Sequence, residues 1–286
     1  MRIQLLILVA IIFTQGVYSQ ENLRMLSWNI KNFGHHKTHS QIEQIASVIT
    51  EYDVVAMQQI DAQEHSAEKA LAQLIIALNK KGFDWSYTLS QPTKAKSSSK
   101  ERYAFLWKTN KVNVLGKGTL LKPLQRKVLQ EPFVLKIEWN SEIVSLYNYH
   151  AKSYDKHPEK EIAVVLDYLK KTNTPFVLFG SFNTTENNEV FGILDTTTHK
   201  PVVSKKKTLL KNYCYSKTYK HLAVDNIYYT SPNFTLLSSG VLDYVGACEN
   251  LKLAHRISNH IPVVAHLQSK QTSYEVSFTT NLNPSP

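Results

Sequence analysis

Acidic residues, cysteines and membrane-length apolar runs are all scarce in this chain of 286 residues. Beyond the first 20 positions no stretch approaches the roughly 20 apolar residues that a membrane-spanning helix requires, so a helical transporter or receptor is excluded there. Only two cysteines occur, Cys214 and Cys248, so at most one internal disulfide can form. Closing that 34-residue separation contributes about 3–4 kcal/mol in chain-entropy terms. Two free buried thiols are the alternative. Asp and Glu number 23 against 33 Lys and Arg, a formal net charge of +10. Such a balance favours polyanionic partners through steering and counterion release, and it also serves plain solubility.

Apolar residues at 43% and charged residues at 20% describe a globular chain, and the length suits a single two-sheet domain. Met1-Arg2, an apolar run over 3–13 and Val17-Tyr18-Ser19 before Gln20 have the order of a secretory signal peptide. A membrane anchor is the competing reading, but about 12 apolar residues are too few to span. The expectation is a signal peptide over 1–19, a secreted or periplasmic protein with no membrane attachment, a single domain over 20–268 and a polar tail over 269–286. Cleavage removes only Arg2 among the charges and lowers the formal charge from +10 to +9. An oxidising compartment favours a Cys214–Cys248 bridge.

Hydrophobic periodicity predicts strands over 23–30 and 53–57, with helices over 40–50 and 67–79 between and after them. Ile42, Ile45, Ala46 and Ile49 share one face of the first helix. Strand candidates without an intervening helix follow at 85–89, 103–107, 112–116, 133–139 and 143–149, the last leading to His150. A helix over 158–170, a buried strand over 175–179 and later strands at 223–229, 235–237 and 261–267 complete the pattern. Residues 90–100 and 205–211 read as exposed loops, the second of them basic. No internal repeat or domain boundary interrupts the series. Mixed strands and helices with several hairpins predict two packed sheets with helices outside, an α/β sandwich.

The segments that end those strands carry the chemistry. In order they are Ser27-Trp28-Asn29-Ile30-Lys31-Asn32-Phe33, Gln58-Gln59, Lys100-Glu101-Arg102-Tyr103, Asn148-Tyr149-His150, Gly180-Ser181-Phe182-Asn183, Val224-Asp225-Asn226-Ile227 and Ser258-Asn259-His260-Ile261-Pro262. A Gly-x-Phe-Asn turn alone is weak evidence. The whole ordered series resembles the endonuclease/exonuclease/phosphatase superfamily, and within it the deoxyribonuclease I branch, over residues 23–268. The resemblance implies a four-layer α/β sandwich, in accord with the strand reading.

It also implies a site at the sheet edge where an Asn, a Glu and two Asp residues, helped by a second Asn, gather a divalent cation such as Mg²⁺ and phosphate. Carried over by position, Asn29 and Asn183 are retained, while Gln59, Ser181 and Asn259 stand where the carboxylates belong. The local formal charge therefore changes from −3 to 0, and a hard cation that prefers anionic oxygen is bound poorly. The aspartate that Ser181 replaces would also polarise the attacking water. Two acid/base pairs remain in the resemblance, His150 with Glu101 and His260 with Asp225. A carboxylate on imidazole fixes its tautomer and raises its basicity, as proton transfer to a leaving oxygen requires. An ordinary buried histidine with a satisfied partner is the alternative for each pair alone.

Asn29, Lys31, Arg102 and Tyr103 are the expected substrate contacts, with Lys100, Lys108 and Lys152 as further candidates for phosphate and Lys205, Lys206, Lys207 and Lys211 as a basic loop. Gln130 stands where the family has an arginine before Glu-Pro. Trp28, Phe33, Tyr149 and Tyr154 lie near motif ends but are the kind of residue more often found in a core. Asp61, Glu64 and Glu186 are the nearby acids that could supply a replacement ligand. The functional expectation is a secreted, nucleic-acid-binding member of the family with weak or no hydrolysis. Its alternative is an active metal-dependent endonuclease using a rearranged cation site and the two histidine pairs.

Overall fold

The computed structural model describes residues 22–34, 36–63, 65–94 and 100–270. The expected signal peptide, Glu64 and the tail beyond Lys270 lie outside the described residues. Strand β1 (Asn22–Phe33) leads into α1 (His39–Ile49), β2 (Val54–Asp61) and α2 (Ser66–Asn79). Six strands follow, β3 (Trp85–Leu89), β4 (Glu101–Lys108), β5 (Asn113–Val114), β6 (Thr119–Leu120), β7 (Phe133–Trp139) and β8 (Glu142–His150). Next come α3 (Glu159–Leu169), β9 (Phe176–Ser181), β10 (His199–Pro201), β11 (Leu210–Tyr215) and β12 (Thr218–Lys220). The last elements are β13 (Asp225–Thr230), β14 (Phe234–Val241), α4 (Leu251–Ile257) and β15 (Val263–Ser269).

Local sequence accounts for the clearest of these. The apolar face of α1 is fully buried at Ile42, Ile45, Ala46 and Ile49. Its start is fixed by a capping box, in which the Gln41 backbone N–H donates to the Thr38 hydroxyl at 3.3 Å and the Gln41 side chain accepts from Thr38 N–H at 2.8 Å. Strand β7 alternates, burying Phe133, Leu135, Ile137 and Trp139 while Lys136 and Glu138 face solvent. A period of two places one face on a core.

One sheet has the order β14-β15-β1-β2-β4-β3 and the other β10-β13-β9-β8-β7-β5, with β6 beside β7. Their inner faces share a core in which the Phe105 ring packs on Phe133 at 5.8 Å and edge-on to Phe179 at 5.9 Å. On the outer face of the first sheet, Leu26, Val55 and Leu106 pack on α1 and α2. On the second, Tyr149, Phe176 and Leu178 pack on Ile162, Val165 and Leu169 of α3. Helix, sheet, sheet, helix is the four-layer α/β sandwich. A polar clamp crosses the middle: the Gln58 amide donates to Asn148 Oδ1 at 2.6 Å, and the Asn148 amide donates to the carbonyls of Met57 and Ala104.

Three details differ from the sequence expectation. The hairpin β11–β12, the short β6 and β10, and α4 were not anticipated, because each is short and lacks a sustained apolar period. The predicted basic loop ends inside β11, since Leu210 is buried in a small core with Tyr219, Val245 and Leu251. The tail begins after Ser269, which pairs in register with Phe234 and is fully buried. Cys214 and Cys248 form a disulfide, their Cα atoms 5.7 Å apart.

Candidate functional site

Strand direction gathers the motif residues at one edge. The pairs β1/β2 and β8/β9 are parallel, so the C-terminal ends of all four strands meet. Their antiparallel neighbours β4 and β13 begin at the same edge, with Glu101 opposite Asp61 and Asp225 opposite Ser181. Open α/β sheets commonly bind ligands outside such carboxyl ends. Here the edge forms a cleft of about 520 Å³ whose walls include Gln59, Asp61, Glu101, His150, Asn183 and His260, with Lys100, Lys152 and Lys156 around them.

Both histidines are held by carboxylates. His150 Nδ1 lies 2.9 and 3.0 Å from the Glu101 oxygens. Because a carboxylate only accepts, Nδ1 carries the proton, leaving Nε2 toward the Asn183 amide at 3.4 Å. That amide also donates to the Ala151 carbonyl at 2.8 Å. Burial lowers the basicity of His150, but the Glu101 charge and hydrogen bond outweigh it and hold the imidazole above 6.5. His260 Nδ1 lies 2.8 and 3.1 Å from Asp225. Burial pushes the Asp225 carboxyl up, and His260, with the Thr208 and Ser181 hydroxyls, more than offsets this, keeping it below the usual range.

Neighbouring groups fix these dyads in place. The Trp28 indole N–H donates to the His260 carbonyl at 2.8 Å, and the His260 backbone N–H donates to the Ser258 hydroxyl at 2.9 Å. Ser258 in turn donates to the Asn29 carbonyl. Gln59 has φ 58° and Asn183 has φ 54°, both left-handed. Asparagine tolerates that region, but glutamine adopts it rarely, at a cost on the order of 1–3 kcal/mol. The register of β2 on β4 slips between Met57 and Ile60, so Gln59 leaves the ladder where it borders the cleft.

Other expected site residues are placed elsewhere. Asn29 is buried, and both of its amide atoms lack a hydrogen-bond partner. Ser181 is fully buried opposite Asp225. The Asn259 side chain lies 2.9 Å from His255 Nδ1 and lines a different cleft. Of Asn29, Gln59, Ser181 and Asn259, the positions expected to form a degenerate metal site, Gln59 is the one that lines the histidine cleft.

The expected phosphate contacts also shrink. The Arg102 guanidinium is nearly buried and spent on an ion pair with Glu68. Tyr103 is fully buried, and its hydroxyl accepts from the His150 backbone N–H at 3.2 Å, so it positions the histidine rather than meeting a ligand. Lys108 is buried 3.3 Å from Asp53 and over the Phe83 ring. Lys31 is exposed but does not line the cleft. Trp28, Phe33 and Tyr149 are core residues. Lys100 and Lys152 do line the cleft, joined by Lys156, His36 and Asn32, which sequence reasoning left without a role. Asn32 had a usable signal, since it lies within the first motif and is an asparagine at a sharp turn, φ 54°.

The candidate replacement acids are committed locally. Asp61 lines the cleft but accepts from Gln63 N–H at 2.9 Å and the Ser66 hydroxyl at 3.0 Å. Glu186 accepts from the Ser204 hydroxyl and from Lys205 N–H, tethering the basic loop. Among the described residues no group of three or more His, Cys, Asp or Glu side chains is arranged to hold a metal ion.

Comparison with known proteins places this geometry in context. The profile of the Endonuclease/Exonuclease/phosphatase family matches residues 26–260. Deoxyribonuclease-1 of Canis lupus familiaris is 33% identical over 96 residues, which is 32% of this chain and 32% of that protein, so the match spans about a third of the relative's length. An endonuclease/exonuclease/phosphatase family protein from Bacteroides thetaiotaomicron superposes with a TM-score of 0.63 at 16% identity, over 89% of this chain and 100% of the other. The human Nocturnin catalytic domain with bound sulfate gives 0.62 at 14% identity, over 88% and 96%.

Proposed function

Because the chain belongs to the Endonuclease/Exonuclease/phosphatase family, we propose that it is an exported phosphodiester-binding protein that takes nucleic acid and hydrolyses it weakly or not at all. One observation carries this reading. The two carboxylates lining the histidine cleft, Glu101 and Asp61, are already engaged by His150 and by Gln63 and Ser66, while three lysines stand around them.

The divalent cation that the family implies does not fit the donors present. Asn29 and Ser181 are sealed from the cleft, Asn259 is turned to His255, and Gln59 offers a neutral amide. Mg²⁺ rarely binds through neutral ligands alone. What remains suits an anion. A phosphate seated between the histidines would meet positive potential from Lys100, Lys152 and Lys156, and would accept a hydrogen bond from His150, whose protonated form Glu101 favours. The Asn183 amide stands at the same wall, held by its hydrogen bond to the Ala151 carbonyl.

The canine relative is named a deoxyribonuclease, which supports a nucleic acid as the polymer. Export rests on the leader-like sequence over 1–19, and the Cys214–Cys248 bridge suits an oxidising compartment. A mature protein that begins at Gln20 would support it, and retention of Met1 on the accumulated protein would overturn it.

An active hydrolase is the second reading, favoured by the raised basicity of His150 and by its place with Asn183 and His260 on the wall of one cleft. A plasmid-nicking assay with Mg²⁺, Mn²⁺ and Ca²⁺ separates the two. The expected result is negligible nicking by the wild type and cation-dependent nicking by a Gln59→Glu/Ser181→Asp/Asn259→Asp variant. Comparable rates for both would overturn the proposal.

A further inference from the structure

A second cleft, of about 640 Å³, adjoins the first, and Leu209, Lys211, Tyr213, Tyr215, His221 and Asn259 are among its walls. Asn259, on the wall of this cleft, and His260, on the wall of the first, are consecutive in the chain. This stretch is stitched to the root of the β11–β12 hairpin: Leu210 N–H donates to the Asn259 carbonyl at 2.7 Å, Ile261 N–H donates to the Thr208 carbonyl at 2.6 Å, and Leu209 bridges His260.

Tyr213 and Tyr215 flank Cys214 on β11 and both line this cleft, on a stretch where the pairing with β12 is irregular between Leu210 and Tyr215. They are 72% and 69% exposed, against 40% for Phe83. Large rings turned outward forgo burial, so their support is informative. The hairpin under them is braced. Ser216 and Lys217 have φ 49° and 58°, the pair of left-handed residues that a two-residue type I′ turn demands. Cys214, between the two tyrosines, is bonded to Cys248. Tyr219 on β12 is buried and donates to Asp243 at 2.6 Å. Two tyrosines on a pre-ordered strand lose little conformational entropy when a ring stacks on them.

Charge selects the partner. Residues 204–222 contain six lysines, at 205, 206, 207, 211, 217 and 220, and no Asp or Glu. Lys220 is paired with Asp243, while Lys205, Lys206, Lys207 and Lys217 are exposed. Basic side chains that follow a phosphate backbone, combined with aromatic faces for bases, are the means by which proteins hold unpaired nucleic-acid strands. A duplex, with its bases stacked internally, offers no such faces to the tyrosines.

We propose that the β11–β12 hairpin and its cleft are a stacking platform for an unpaired nucleic-acid strand that continues from the histidine cleft. The platform rests on the phosphodiester-binding reading above and narrows it to single strands. Bases stack on Tyr213 and Tyr215, and the lysines of 205–217 follow the phosphates.

Fluorescence anisotropy with a labelled oligothymidylate and an abasic strand of equal length tests this on the full chain. The wild type should bind the base-bearing strand at least about 10-fold more tightly than the abasic one. Tyr213→Ala/Tyr215→Ala should remove that advantage and leave abasic binding nearly unchanged, and Tyr213→Phe/Tyr215→Phe should retain it. Equal wild-type affinity for the two strands, or full base-dependent affinity in the double-alanine variant, overturns the platform. If that happens while His150→Ala/Lys152→Ala weakens both strands, the histidine-cleft reading stands alone. Failure of the wild type to bind either strand overturns both.

Discussion

The two histidine dyads of the cleft and the neutral positions Asn29, Ser181 and Asn259 near it are held to different standards of order. His150, Glu101, His260 and Asp225 each have a partner within 3.1 Å from another segment of the chain. Asn29 instead buries an amide with neither atom partnered, Ser181 is sealed, and Asn259 faces another cleft. A buried polar group left without a partner costs roughly 1–3 kcal/mol. Carboxylates occur at this site only where a neighbour engages them, Glu101 by His150, Asp225 by His260 and Asp61 by Gln63 and Ser66. The neutral side chains of Asn29, Ser181 and Asn259 do not meet at a shared point.

Placing carboxylates at the neutral positions should break the contrast most strongly. The Gln59→Glu/Ser181→Asp/Asn259→Asp variant is expected to gain cation-dependent nicking on the order of 100-fold or more over the wild type. Ser181→Asp alone places a carboxylate opposite buried Asp225, so its melting temperature should fall without Mg²⁺. Unchanged melting would show that the sealed position accommodates charge and would weaken the contrast.

The next effect concerns what holds the two sheets together. Gln58→Ala removes the amide that reaches Asn148 across the sheets and is expected to cost about 2 kcal/mol in urea unfolding. A cost near zero would mean that the clamp does not set the spacing of the sheets.

A smaller effect is expected in pH dependence. The folded basicity of His150 is raised, so its stabilising contribution is complete below 6.5, its ordinary value, and is lost as pH rises through the higher folded value. In Glu101→Gln the largest opposition to burial is removed, only the weaker pull of Asp225 and Glu161 remains, and the imidazole should titrate lower. Stability followed through neutral pH should therefore decline less in the variant than in the wild type. Parallel profiles would show that Glu101 does not hold the proton.

The smallest difference should come from Arg102. Its guanidinium is neutralised by Glu68, so Arg102→Met should change oligonucleotide affinity by less than about 2-fold, whereas Lys152→Ala should weaken it several-fold with a shallower salt dependence. Equal losses would show that Arg102 reaches the ligand.

Much of this was legible in the sequence where local pattern and position agree. The apolar face of α1, the alternation of β7 and the histidine closing β8 follow from short-range periodicity. The four dyad residues were found through the ordered motifs, although 49 residues separate His150 from Glu101 and 35 separate His260 from Asp225. What escaped depends on partners outside any local window. Arg102 looks like a phosphate contact until Glu68 is seen beside it, and Tyr103 and Lys108 look accessible until the sheets close over them. Asn259 is drawn away by His255, four residues earlier on a helix too short to announce itself. The β11–β12 hairpin reads as a basic loop because its order comes from a disulfide and a small local core.

Calorimetric titration of the wild-type protein with Mg²⁺ tests the central claim most directly. The neutral donors of the cleft predict no saturable heat, and the triple carboxylate variant should show a binding isotherm under the same conditions. A saturable, tight isotherm for the wild type would contradict the account, because it would require a carboxylate cage that Gln59, Ser181 and Asn259 do not provide.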